Sequence, residues 1–135
     1  FEKIDFHNAD VLHNVYIEGN EQIGRTMKIT GTVDIPARFG KKFQIAVHIY
    51  DAQTNQQVKS LIYPDYSDVN GFAAKATPIY DIGESGFRNG TWWINIPNSA
   101  IDFPSGTSYF YAIPTLFVDN FGVAYGEKID FWVRK

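Results

Sequence analysis

Hydrophobic and polar residues alternate with a period of two along most of the chain. Met27, Ile29, Gly31, Val33 and Ile35 are interleaved with Lys28, Thr30, Thr32 and Asp34. Phe43, Ile45, Val47 and Ile49 repeat the pattern against Gln44, Ala46, His48 and Tyr50. Successive side chains of a strand point to opposite faces, so each run predicts an antiparallel strand with one buried and one wet face. Trp92, Ile94 and Ile96 alternate with Thr91, Trp93 and Asn95, just after the turn dipeptide Asn89-Gly90. Ile129, Phe131 and Val133 do the same against Lys128, Asp130 and Trp132. A less polarised strand is predicted where Val11, His13, Val15 and Ile17 alternate with Leu12, Asn14 and Tyr16. Tyr109 to Val118 is apolar on both faces and predicts a central strand, with Pro114 marking a bulge or an edge position. Gln57 to Ile62 predicts a short strand and Gly71 to Thr77 a weak one.

About eight strands therefore follow one another, separated by turns rich in Gly, Pro, Asn and Asp. The pattern predicts an all-β fold: a two-sheet antiparallel β-sandwich of immunoglobulin-like character, formed by residues 1–135 as a single domain. Composition sharpens this. Ile and Val together number 24 against 3 Leu, and 22 residues are aromatic, which suits a pleated surface and excludes a helical bundle or coiled coil. A chain of 135 residues buries roughly 68% of its unfolded surface, enough for a core without staples.

Charge and cysteine content narrow the chemistry. Twelve basic and fifteen acidic residues leave a net charge of −3 with no basic cluster, so neither a nucleic-acid partner nor an anionic lipid surface is expected. No Cys is present, which removes disulfides, thiol catalysis and thiolate zinc sites. No run of 18 apolar residues predicts membrane insertion. A chain opening at Phe1 without a signal-peptide pattern fits a mature secreted protein or a module of a longer one, and an extracytoplasmic setting is the expectation.

Several segments resemble a family of bacterial β-sandwich accessory domains. They are Val11-Leu12-His13-Asn14-Val15-Tyr16, Met27-Lys28-Ile29, Tyr66 to Gly71, Thr77-Pro78-Ile79-Tyr80, and Phe87 leading into Trp92-Trp93-Ile94-Asn95-Ile96-Pro97. The likeness covers roughly Ala9 to Arg134, with Arg25-Thr26 and Trp93 as departures from the family pattern. Such domains are appended to peptidase-like or repeat modules. The resemblance implies a non-catalytic module and carries over no catalytic residue.

Candidate chemistry is sparse. His7 lies in a polar segment, His13 and His48 fall within predicted strands, and no Ser sits in a nucleophile-elbow context, so no enzyme activity is expected. Ten Asp and five Glu offer no spacing that selects a catalytic pair, and the Asp fall mostly in turns, where their side chains cap backbone N–H groups. Asp65, Asp68 and Asn70 ahead of Gly71 offer hard oxygen ligands around a glycine turn and form a candidate Ca²⁺ site, although no other cofactor is indicated. If Trp92, Ile94 and Ile96 face the core, Trp93 and Asn95 face solvent; the reversed phase puts Trp93 inside. Trp93, Asn95, Trp132 and Tyr66 are thus the candidate ligand-binding residues, since an exposed Trp beside amides and carboxylates anchors a protein or stacks on a sugar ring. The expected function is a non-catalytic interaction domain contacting a protein or a neighbouring domain, with a carbohydrate-binding module as the alternative.

Overall fold

A computed structural model describes residues 4–5, 12–18, 26–102, 104–126 and 128–134. Among these residues are ten strands: β1 (Ile4–Asp5), β2 (Leu12–Glu18), β3 (Thr26–Ile35), β4 (Lys42–Asp51), β5 (Ala74–Ala76), β6 (Tyr80–Asp81), β7 (Phe87–Pro97), β8 (Thr107–Val118), β9 (Phe121–Tyr125) and β10 (Ile129–Arg134). Two single-turn 3₁₀ segments, Ala37–Phe39 and Asn98–Ala100, lie between strands among the described residues. His7, Val11 and Arg25 lie outside the described residues, as does the side chain of His13.

Two sheets form. The larger runs β1-β9-β8-β4-β5, with β10 also pairing β8 and β6 also pairing β4; the smaller runs β2-β3-β7. All pairs are antiparallel except the short parallel contact of β1 with β9. The predicted alternation decides how they stack. Phe43, Ile45, Val47 and Ile49 of β4 and Phe110, Ala112, Leu116 and Val118 of β8 turn inward. They meet Ile29, Val33 and Ile35 of β3 and Trp92, Ile94 and Ile96 of β7 in one core. The result is an all-β sandwich. At roughly 1.5–3 kcal/mol for each large apolar side chain removed from water, this shared core is the dominant stabilising contribution.

Three expectations are corrected in detail. Gln57 to Ile62 does not form a strand; Gln57, Lys59 and Ser60 make isolated bridges to Tyr50, Phe72 and Ile101. The excursion between β4 and β5 is held by Val58, which is buried, and by single backbone bonds instead of a ladder. The strand predicted over Gly71 to Thr77 contracts to the three residues of β5. Pro114 introduces no bulge opposite β4, where it stays in register with Val47. Its carbonyl accepts from the Gly126 N–H, so the N–H that proline lacks would point to the same side. There β9 pairing ends at Thr115 and β10 pairing begins at Ala112. The proline occupies a gap in the ladder, where no donor is missed.

Candidate functional site

The four candidate ligand-binding residues are not brought together. Trp93 stands on the outer face of β7, 53% exposed, with the Lys28 ammonium 6.0 Å from its ring centroid. Asn95 is exposed on the same face and pairs in register with Lys28. Trp92 is the core residue of the pair. Trp132 lies on the opposite outer surface, that of the larger sheet, half-buried and in register with Tyr109. Tyr66 is in the excursion between β4 and β5, partly packed against the core, and the Lys75 ammonium sits 4.8 Å from its ring centroid.

The Asp65–Asn70 turn is organised around one carboxylate. Asp68 Oδ1 accepts from the Asn70 N–H at 2.9 Å and from the Phe72 N–H at 3.0 Å. The Asp65 carbonyl accepts from Lys75 Nζ at 3.1 Å. Among the described residues no three His, Cys, Asp or Glu side chains converge on a point that could hold a metal ion. Asp68 Oδ1 here caps the turn, and Oδ2 is the oxygen it turns towards His48.

What the register does assemble is a cleft on the outer face of the larger sheet. Ala46 of β4 pairs with Ala76 of β5, and His48 pairs with Ala74. Residues directly opposite in an antiparallel pair share a face, so Ala46, Ala74, Ala76 and His48 lie together. Three methyl groups where larger side chains would otherwise stand leave an open cleft of about 430 Å³. The excursion carries Asp65, Ser67 and Asp68 to one side of it, while Lys75, Gln44 and Thr77 complete its lining. Gln44 Nε2 donates to the Thr77 carbonyl at 3.1 Å, and the Thr77 hydroxyl accepts from the Ile45 N–H at 3.0 Å. Those bonds fix the end of β5 against β4.

His48 is the chemically distinctive member. Its Nε2 lies 3.6 Å from Asp68 Oδ2, with the two side chains 25% and 20% exposed. Burial pushes the imidazole below its ordinary value of 6.5, and the Asp68 carboxylate pulls weakly the other way. At neutral pH His48 is therefore uncharged, and a neutral imidazole both accepts and donates hydrogen bonds. No Ser–His relay is present at this pair: the Ser67 hydroxyl donates to the Asp68 carbonyl at 2.8 Å. A smaller hollow of about 200 Å³ lies near Lys42, Gln44, Phe117 and Asp119. There the Asp119 carboxylate is occupied by the Lys41 and Lys42 N–H groups, a structural tie between the β4 start and the β8–β9 turn.

No known family profile matches the chain, and no curated protein is significantly similar to it. Among solved structures, a similar one is the alkylpurine DNA glycosylase AlkC of Pseudomonas fluorescens, bound to DNA containing an abasic site analog. The TM-score is 0.44 at 14% identity, over 93% of this chain and 30% of the glycosylase chain. This chain thus spans less than a third of that protein's length. The neighbour is an enzyme on DNA, which runs against the expectations of a non-catalytic interaction or carbohydrate-binding domain, of no enzyme activity, and of protein or glycan partners without nucleic acid. Those expectations are withdrawn. At this similarity the glycosylase assigns no activity to the present chain in their place. Among the described residues no helix is long and apolar enough to cross a membrane.

Proposed function

We propose that this domain binds a small organic molecule in the cleft floored by Ala46, Ala74 and Ala76. The observation that carries the reading is the register itself: alanines meet across β4 and β5 beside the half-buried His48–Asp68 pair. Ligand sites combine an apolar surface with a few fixed polar groups in a space of roughly 300–1,000 Å³. The cleft has that composition and, at about 430 Å³, that size. Its polar groups are held by strand ladders and by a capped turn, so little ordering is needed on binding. The segments Tyr66 to Gly71 and Thr77-Pro78-Ile79-Tyr80, which resemble bacterial β-sandwich domains, supply part of the wall and the exit of β5, and this supports treating the cleft as a built feature.

The test is a fragment screen on the 135-residue chain, followed by amide chemical shifts, with Ala76→Leu as the blocked control. Ligands should perturb residues 44–48 and 65–77, and the leucine side chain should abolish those shifts while the rest of the spectrum stays folded. Shifts scattered elsewhere, or unchanged in the Ala76→Leu protein, would defeat the reading.

A further inference from the structure

We propose that the occupant of this cleft is a small organic cation, an alkylammonium whose charge is received by Asp68 and whose methylenes lie on the alanine floor. The proposal rests on the cleft being a ligand site and adds the chemical class. Asp68 divides its oxygens: Oδ1 is committed to two backbone N–H groups, while Oδ2 has His48 Nε2 as its neighbour at 3.6 Å, beyond ordinary hydrogen-bond length. Because burial keeps His48 uncharged at neutral pH, it leaves the carboxylate charge uncompensated. The other charges on the lining are Asp65 and Lys75. Lys75 is tied to the Asp65 carbonyl and to the Tyr66 ring. With His48 neutral, two carboxylates and one ammonium make the lining net negative. A half-buried carboxylate of this kind favours a cation, and an ammonium donating to it forms a charge-assisted hydrogen bond. Ala46, Ala74 and Ala76 then accept three or four methylenes without displacing any side chain.

A proton on His48 competes with a bound ammonium for the same carboxylate. Asp68 from the excursion is the charged group beside His48, Asp65 and Lys75 are the other charged groups lining the cleft, and β8 presents the uncharged Ile113 in register. When His48 takes a proton it becomes the cation that Asp68 lacks, and an ammonium ligand loses its advantage.

The experiment compares n-butylammonium, n-butanol and butyrate at constant ionic strength by amide shifts of the cleft residues. Butylammonium should bind saturably and the other two more weakly. Asp68→Asn keeps the turn-capping oxygen, removes the charge, and should weaken butylammonium by about tenfold or more, as expected for loss of a charge-assisted bond. His48→Gln is the second variant: the native protein should bind butylammonium more weakly at pH 5 than at pH 7.5, and the variant should lose that dependence. Preferential binding of butyrate or butanol in the cleft overturns the cation and leaves the cleft standing. Binding by none of the three also overturns it, while the fragment screen decides the cleft separately. An undiminished Asp68→Asn affinity, or a pH dependence that survives in His48→Gln, overturns the role given to the pair.

Discussion

Asp68 holds its own turn with one oxygen and faces His48 with the other. Oδ1 accepts from Asn70 and Phe72, and Oδ2 stands 3.6 Å from the imidazole. A single carboxylate therefore links the fold of the β4–β5 excursion to the polar side of the cleft. The two roles separate by substitution. Asp68→Ala should destabilise the domain by about 1–2 kcal/mol, because two backbone donors lose their acceptor. Asp68→Asn retains the acceptor and should cost markedly less. Urea unfolding followed by near-ultraviolet circular dichroism measures both; equal losses would mean that charge, not capping, holds the turn.

The same pair makes stability depend on pH. Burial lowers the His48 value in the folded state, so the unfolded chain binds the proton more readily. Where the unfolded state holds more protons, stability rises with pH. The contribution is complete above 6.5 and is lost as pH falls through the window below it. His48→Gln should flatten the stability curve between about pH 7 and pH 5 relative to the native chain. The difference between the native and His48→Gln curves isolates the contribution of His48.

How much of this was legible in the sequence depends on how local the signal is. β3, β4, β7 and β10 announce themselves because each alternates over at least five residues, and a one-residue slip would expose the whole apolar set. β1 and β6 span two residues each and have no period to read. The cleft was illegible for a different reason. Ala74 and Ala76 weaken a strand signal when read along the chain, and acquire meaning only opposite His48 and Ala46, across a pairing the sequence does not print. His48 likewise read as one more polar position of β4, and Asp68 as one more turn residue. The phase of Trp92 and Trp93 stayed open because either indole suits a sheet face; packing against both sheets decides it.

That decision has a measurable consequence. Trp92 is fully buried, and its Nε1 finds no acceptor among the described residues. Trp92→Ala should cost about 3–5 kcal/mol through the cavity it leaves. Trp92→Phe should cost much less, since it keeps an aromatic ring and removes a donor with no acceptor among the described residues. Trp93→Ala should change stability by no more than about 0.5 kcal/mol, as surface positions do. Thermal unfolding of the three variants gives the order; a costly Trp93→Ala would place its indole in a load the exposed face does not show.

Gly90 of β7 has no room for a side chain. A Cβ there would run into the ring of Phe87, three residues earlier on the same strand. Phe87 is not free to swing away: its centroid is 4.7 Å from Phe43 in an edge contact and 6.3 Å from Tyr80. The register between β3 and β7 shifts between Val33 and Ile35, which face Gly90 and Phe87 across the ladder. Gly90→Ala should therefore destabilise by about 1–3 kcal/mol, the range for forcing extra volume into a packed site. The double variant Gly90→Ala with Phe87→Leu should recover part of that loss, because the smaller side chain yields the space. Denaturant midpoints for the two singles and the double close the cycle, and strict additivity would show that the glycine is required for some reason other than the ring.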